Sequence, residues 1–151
     1  MAFDPRSIVN AAMATIRSIP YQDQCTATGP HPVSLITLDE QGFPSARTVV
    51  PREIAPDLSE FKLNSRTQTR KVAELQRNDK VTLNFQDQRG RGGWLTLKGT
   101  AKLDSAPDGS TDIVVTVVQL EIVSYTEKAM ADSDGWVPAV LRRDNGAWKA
   151  A

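Results

Sequence analysis

The stretch NSRTQTRKVAEL, residues 64–75, places three cations at the start of a helical pattern. These cations are Arg66, Arg70 and Lys71, and apolar residues at helical spacing follow them. A cation at a helix N-terminus opposes the helix macrodipole, at a cost of roughly 0.3–1 kcal/mol for each exposed group. A bound phosphate would remove that cost, because a helix N-terminus already presents free amide donors and a partial positive charge. The alternative is a solvated surface on which carboxylates such as Glu74 offset the cations.

A second pair of cations favours the phosphate interpretation. Arg47 and Arg52 lie five residues apart on a neighbouring predicted strand. A guanidinium group binds phosphate through two parallel hydrogen bonds, which a lone lysine cannot do. Thr67 and Thr69 add hydroxyl groups beside the helix start, and either can also cap the helix. Together these residues predict a site for one small phosphorylated ligand.

The composition of the chain excludes several classes of partner. Its 151 residues fit one domain with a substantial core. Lys and Arg equal Asp and Glu at 18 each, so no net field gathers nucleic acid or an anionic membrane. The longest apolar run, residues 113–118, is too short to span a bilayer. The opening MAFDPRS lacks the features of a signal peptide, and Cys25 is the single cysteine. We therefore expect a cytoplasmic protein.

The apolar spacing predicts a single domain, residues 1–151, in three parts. An amphipathic helix over about 5–18 begins at Asp4 and Pro5, which have the pattern of an N-cap and a first-turn proline. Alternating apolar and polar residues predict a barrel over about 33–126. The tail, 127–151, is expected to pack back as a short hairpin around the turn DNG.

The barrel expectation comes from the order of its predicted elements. Five to seven strands follow one another in hairpin order with one helix inserted, which indicates an antiparallel barrel and not a doubly wound sheet. The run TDIVVTVVQLEIVSY has almost no polar face in its first half. That pattern predicts burial on both sides, with a covering helix or another subunit on the second side.

Three ordered stretches resemble a known superfamily. PHPVSLITLDEQGFPSARTVV, FKLNSRTQTRKVAELQRNDKVTLNF and WLTLKGTAKL are similar to the pyridoxamine 5′-phosphate oxidase-like flavin-binding split-barrel superfamily, which includes the general-stress-type flavin proteins. The resemblance covers about His31 to Leu103, roughly half the chain. It implies a mainly β fold, a six-stranded antiparallel split β-barrel, that forms a homodimer with FMN in the cleft between the subunits.

The resemblance also implies which residues hold the FMN phosphate. Arg47 looks like the family's phosphate-binding arginine at the start of its strand, and Arg52 falls where the oxidases have a lysine. Thr69, Arg70 and Lys71 match the family's Ser-Arg-Lys trio at the phosphate.

Further positions are implied to lie along the flavin ring. Thr48, Val49 and Val50 would contact it through their backbone, and Asn64 resembles the polar residue that closes the next strand. Trp94 falls where the oxidases use a glutamine, and an aromatic ring there could stack on the flavin but could not replace the amide's hydrogen bonds.

The chain departs from the oxidases in three places. The stretch NSRTQTRK is about two residues longer than the oxidase pattern. Residues 104–112 replace a segment that commonly carries a pocket-forming helix, and the oxidases' C-terminal Trp-Arg ending is absent. We therefore do not expect vitamin B6 oxidation. The sequence favours an FMN-dependent oxidoreductase with an unidentified small-molecule substrate, and it nominates no catalytic side chain.

Two alternatives to that enzyme stay open. The same fold could hold FMN without turnover, as a storage or sensing module. Less favoured is a haem-binding split barrel with His31, the only histidine, as a ligand. Cys25 has no adjacent cation and is expected to be inert. The sequence shows no metal-ligand cluster. For Trp94, Trp136 and Trp148, packing in the core or at an interface is favoured over stacking on a flavin.

Overall fold

The computed structural model describes residues 3–18, 32–132, 134 and 136–151. Helix α1 (Pro5–Arg17) begins where the sequence predicts, with the Asp4 carboxylate accepting a hydrogen bond of 3.1 Å from the Arg6 amide. Its apolar stripe, which includes Ile8 and Ile16, is buried in the core. Within the described part of the chain, no helix combines the length and the apolar character needed to cross a membrane.

Nine strands form one antiparallel sheet, with helix α2 (Arg70–Arg77) between the fourth and fifth strands. The strands are β1 (Val33–Leu38), β2 (Pro44–Val49), β3 (Glu53–Ile54), β4 (Glu60–Ser65), β5 (Lys80–Gln86), β6 (Gly93–Ser105), β7 (Thr111–Ser124), β8 (Ala139–Asp144) and β9 (Ala147–Ala150).

The strand order is β2-β1-β5-β6-β7-β4-β3, with β8 pairing with β7 and β9 with β8. The mainly antiparallel β prediction is confirmed, and the described residues form nine strands where six were expected. Among these strands, β2 pairs with β1 alone and the two-residue β3 pairs with β4 alone. Hydrogen bonds between described strands therefore do not close the sheet, and its two edges are joined by the short chain segment between β2 and β3.

A row of leucines shows how the inner face of the sheet is built. Leu35, Leu83, Leu97, Leu120 and Leu141 are register partners in turn across β1, β5, β6, β7 and β8, and each is at most 1% exposed. Burying one leucine side chain contributes about 1.5–3 kcal/mol. This row therefore fixes the register of five strands and, with it, the positions of the polar residues beside them.

The first half of the long strand β7 is buried on one face within the single chain, where Ile113, Val115 and Val117 point inside. Burial of the other face by another subunit stays a prediction. Val118, on the outer face, is 48% exposed. Branched residues suit a half-buried pleated surface as well as a fully buried one, so their run in the sequence did not discriminate between the two.

The C-terminal hairpin is confirmed. Strands β8 and β9 are joined by Asn145 and Gly146, with φ values of 50° and 78°, as a tight hairpin turn requires. The Trp148 indole N–H donates to the Asp57 carbonyl at 2.7 Å, and the Arg143 guanidinium lies 5.1 Å from the centre of the Trp148 ring. The hairpin is thereby fixed to the loop before β4, and Trp148 has a structural role.

Candidate functional site

Arg47 lies on the edge strand β2 and points across β1 towards helix α2. Its Cα partner is the buried Leu35, which places it on the inner side of the strand. Its Nη1 donates to the Thr37 hydroxyl at 2.7 Å and to the Leu35 carbonyl at 3.3 Å. Its Nη2 donates to Glu74 Oε1 of α2 at 2.9 Å. The guanidinium is held in place from two elements while a quarter of the side chain stays exposed (25%).

Glu74 is the buried carboxylate of this group. Its side chain is 6% exposed, and Oε1 also accepts a hydrogen bond of 2.7 Å from Thr37. Burial opposes its ionisation, but hydrogen bonds from Thr37 and Arg47 and the charges of Arg47 and Arg70 outweigh burial, so the Glu74 pKa lies below its ordinary value. The interpretation of Glu74 as part of a solvated surface is therefore wrong. It is an ionised acid inside the cationic cluster.

The first turn of α2 has no capping side chain. Thr69 occupies the N-cap position, but its hydroxyl lies 3.2 Å from the Arg66 carbonyl and 3.0 Å from the Ser65 hydroxyl instead of capping the helix. Thr67 bonds at 2.8 Å both to the Gly109 carbonyl and to the Thr111 hydroxyl, so the preceding loop is fixed to the β6–β7 turn. The backbone amides at the helix start are left available to an anion.

Lys71 and Arg47 lie on neighbouring elements and influence each other. Burial, and then the positive charge of Arg47, hold the pKa of Lys71 below its ordinary value. Such a shift means that the folded chain brings an ammonium group and a guanidinium group together at a cost. A bound anion would offset that cost.

Arg70 lines a groove that its neighbour on the helix, Lys71, does not line. The groove has a volume of about 270 Å³ and is also lined by Asp39, Glu40, Glu74 and Arg77, on the side of the β1–β2 turn. Arg77 and Glu40 form an exposed ion pair of 3.5 Å across this groove. Arg70 therefore lines the same groove as Glu74, and its charge helps to lower the pKa of Glu74.

The predicted ring-contact residues on β2 and just after it lie at an open sheet edge. Thr48 and Val50 are exposed, Val50 by 41%, whereas Val49 faces inward and packs on the core. Among the described strands only β1 pairs with β2, so the other edge of the β2 backbone offers its polar groups outward. A flat ligand can lie against such an edge.

Two predicted site residues lie elsewhere in the sheet. The Asn64 amide donates to the Ser110 hydroxyl at 2.8 Å and to Asp112 at 2.9 Å, which connects β4 to β7. Arg52 is exposed, and its backbone amide donates to the Lys62 carbonyl at 2.7 Å. The structure does not join either residue to the group around Arg47 and Glu74, and their flavin roles stay predictions.

Trp94 is the second residue of β6 and is half-buried, with Gln86 and Val123 as its register partners on the two flanking strands. Its contact with the flavin ring also stays a prediction. His31 and Cys25, considered for haem binding and for thiol chemistry, lie outside the described residues. Within the described ranges, no group of three or more His, Cys, Asp or Glu residues is placed to hold a metal ion.

Sequence reasoning missed Thr37, Ser65 and Glu74. Thr37 looked like an ordinary strand residue, although a hydroxyl is rare among the apolar inward positions of β1. Ser65 closes β4 and is 5% exposed. Glu74 lies four residues after Arg70, a spacing that normally indicates an exposed helix pair. The apolar residues Val72 and Leu75 gave no signal for its burial, because they lie two and one positions from Glu74 and do not share its helix face.

Comparison with known proteins adds the family and the fold. A family model described as pyridoxamine 5′-phosphate oxidase matches residues 22–134, three quarters of the chain. No curated protein matches it in sequence.

Solved structures resemble the fold over most of its length. A pyridoxamine 5′-phosphate oxidase-related, FMN-binding protein from Nostoc punctiforme superposes with a TM-score of 0.69 at 13% identity, covering 99% of this chain and 96% of that one. A protein related to general stress protein 26, from Clostridium acetobutylicum, gives 0.62 at 19% identity over 82% and 92%. PhzG from Burkholderia lata, in complex with tetrahydrophenazine-1-carboxylic acid, gives 0.61 at 13% identity over 79% of each chain. At these identities the likeness shows the fold alone.

Proposed function

Because this chain belongs to the pyridoxamine 5′-phosphate oxidase family, we propose that it binds FMN, with the phosphate held between Arg47 and Lys71. The observation that supports this most is the pairing of these two cations on neighbouring elements, where burial and the charge of Arg47 lower the pKa of Lys71. A phosphate dianion between them would stabilise both charges. The uncapped start of α2 would add backbone amides to the same anion.

The charges near the site suit a dianion. Arg47, Lys71 and Arg70 contribute three positive charges, and the ionised Glu74 removes one. Coulombic matching favours a phosphate monoester over a neutral ligand. Riboflavin, which has the flavin ring but no phosphate, is the natural comparison ligand.

The ring of the flavin would lie along β2 at Thr48, Val49 and Val50, with Trp94 and Arg52 as further contacts. When bound, FMN supplies the redox chemistry, and the protein sets its binding, orientation and surroundings. We propose an oxidoreductase with a small-molecule substrate and assign no catalytic side chain. A cytoplasmic location stays a prediction from the sequence.

A homodimer is part of the proposal, with the flavin at the subunit interface. What supports it is an apolar outer face that no described element of the chain covers. A cleft of about 390 Å³ there is lined by Ile36, Leu38, Pro44 and Val118 among others, and Phe43 nearby is 67% exposed. Light scattering after size exclusion should give twice the monomer mass. A Val118→Asp variant should give the monomer mass, and an unchanged dimer in that variant would remove this face from the interface.

The binding test compares FMN with riboflavin. The purified protein should be yellow, or should take up FMN and quench its fluorescence. Lys71→Ala should weaken FMN by at least about tenfold, a loss of about 1.4 kcal/mol, and should leave riboflavin affinity unchanged. Arg70→Ala should have a smaller effect, because Arg70 lines a groove that also contains the carboxylates Asp39, Glu40 and Glu74. The double variant should lose most FMN affinity, and an unchanged affinity there would reject the phosphate assignment.

A non-catalytic flavin module is the second candidate, favoured by the short turn between β6 and β7, where relatives commonly carry a pocket-forming helix. Anaerobic reduction of the FMN-loaded protein with NADPH, followed by candidate acceptors, separates the two. Repeated turnover supports the enzyme, and no flavin-coupled turnover with any donor supports the module.

A further inference from the structure

Thr37, Arg47 and Glu74 form a closed ring of hydrogen bonds beside the proposed phosphate site. Thr37 donates to Glu74 Oε1 at 2.7 Å, and Arg47 donates to the Thr37 hydroxyl at 2.7 Å and to Glu74 Oε1 at 2.9 Å. Thr37 is 1% exposed and the Glu74 side chain 6%, but the Arg47 side chain is 25% exposed. Thr37 and Glu74 are therefore the buried members of the ring, and the Arg47 guanidinium is the member that solvent or a ligand can reach.

Both hydrogen bonds to Glu74 end on the same oxygen, Oε1. A glutamine carries an amide oxygen that can occupy this position and accept both bonds. Its other terminal atom replaces Oε2, which is outside the ring. A substitution of Glu74 by glutamine can therefore remove the negative charge and keep the hydrogen bonds that orient Arg47.

Two opposing effects on an anion follow from this arrangement. A guanidinium held in one orientation loses less conformational freedom when it binds phosphate, which favours binding. A buried negative charge close to that phosphate repels it, which opposes binding. The carboxylate therefore fixes the direction of Arg47 and at the same time limits how strongly the site holds a dianion.

We propose that Glu74 is a positioning residue that orients Arg47 through Oε1 and whose charge moderates the affinity for the phosphate of FMN. This role rests on the proposed FMN function. It assigns Glu74 and Thr37 to the site without direct contact with the ligand. Their effect passes through Arg47.

The test measures FMN and riboflavin affinity by fluorescence titration in Glu74→Gln and Glu74→Ala. Glu74→Gln should bind FMN about threefold more tightly, because the ring is kept and the charge removed. Glu74→Ala should bind FMN at least about tenfold more weakly, because the orientation of Arg47 is lost. Riboflavin affinity should stay unchanged in both, which a general loss of structure would not allow.

Matched variants separate this role from simpler ones. Glu40→Gln removes a charge at the same groove, but from an exposed pair outside the ring, and should leave FMN affinity unchanged. In an Arg47→Ala background, Glu74→Ala should cause no further loss of FMN affinity.

If Glu74→Ala does not fold, Thr37→Val is the deciding variant. Weaker FMN binding with unchanged riboflavin binding supports the role, and unchanged FMN binding rejects it. Thr37→Ser, which keeps the hydroxyl, should bind as the native chain does.

Two results would overturn the inference. FMN affinity in Glu74→Ala at or above that of the native chain would show that Arg47 needs no positioning. An equal loss in Glu74→Gln and Glu74→Ala would show that charge, and not the bonds to Oε1, holds Arg47. Failure of the proposed function looks different, because the native chain would then bind FMN no better than riboflavin. The ring itself can be checked without ligand by a urea double-mutant cycle on Arg47 and Glu74, with a coupling of about fivefold in the unfolding equilibrium constant expected.

Discussion

Lys71 of α2 and Arg47 of β2 are close enough for the charge of Arg47 to add to burial in lowering the pKa of Lys71. Strand β2 and helix α2 therefore each bring a positively charged side chain to the same part of the molecule. In the folded chain without ligand, the charged form of Lys71 is disfavoured. Stability should therefore rise with pH as the lowered pKa is passed, because the unfolded chain then binds more protons than the folded one.

FMN binding should have the opposite dependence on pH. A bound phosphate stabilises the ammonium form and raises the pKa of Lys71, so binding takes up a proton wherever the free residue is partly neutral. The phosphate is already a dianion above about pH 7.5, since its second pKa is about 6. FMN affinity should therefore fall as the pH rises above about 7.5 and passes through the lowered pKa of Lys71, and fluorescence titration over a pH series measures this fall.

The control for this prediction is Lys71→Arg. An arginine keeps its charge throughout this range, so FMN affinity should fall less with pH in this variant. An FMN affinity that does not change with pH in the native chain, or that falls equally in the variant, would show that Lys71 does not titrate at the site.

A second ion pair is expected to matter for stability alone. Asp87 has a fully buried side chain (0% exposed) that accepts three hydrogen bonds of 3.0 Å from Arg89, two from the guanidinium and one from the backbone amide. Its other partner is the Ser124 hydroxyl at 3.1 Å. Burial opposes its ionisation, but the bonds and charge of Arg89 outweigh burial, so the Asp87 pKa is lowered. Asp87→Asn should reduce the free energy of unfolding by about 2 kcal/mol in urea, less than for a fully buried pair because Arg89 is 31% exposed.

The pH dependence of this effect has a definite sign. A carboxyl whose pKa is lowered by folding stabilises the fold above its unfolded pKa and ceases to do so as pH falls through the folded value. The difference in the free energy of unfolding between the native chain and Asp87→Asn should therefore decrease as the pH falls through the lowered pKa of Asp87. Asp104→Asn is the control, since its 3.8 Å pair with Lys102 is exposed, and it should change stability by less than about 0.5 kcal/mol. Equal losses in both variants would contradict the role assigned to Asp87.

Much of the fold could be predicted from the sequence because the inward positions of the strands are apolar. Leu83 and Leu97 each stand between two polar neighbours, and that period is a property of the chain itself. The burial of β7 could not be predicted in the same way. Whether Val118 is covered depends on what lies over the outer face of the sheet. The sequence of β7 is the same whether or not that face is covered.

The candidate site was partly readable for a similar reason. Cations at a helix start are a local signal, and in the folded chain the charge of Arg47 does act on Lys71. Adjacent helix residues point about 100° apart, so the sequence could not tell that Arg70 would line the groove beside the β1–β2 turn. Glu74 was misread because its partner, Arg47, lies 27 residues away and on another element.

The close approach of β6 and β7 supports a last prediction. The register of this pair shifts between Lys98 and Gly99. A methyl group on Gly99 would clash with the Thr116 carbonyl oxygen, and the carbonyl carbon would lie only 2.9 Å away. Both are backbone atoms of a central strand and cannot move aside cheaply. Gly99→Ala should therefore lower the free energy of unfolding by about 3 kcal/mol in urea.

Gly109→Ala gives the matched comparison. Gly109 lies in the β6–β7 turn with a φ of +85°, and nothing lies within 4 Å of the added methyl group. Its substitution introduces backbone strain without a clash and should cost about 1 kcal/mol. If Gly99→Ala proves no more destabilising than Gly109→Ala, the two strands must be able to separate at the register shift, which would contradict a tight approach of β6 and β7 at Gly99.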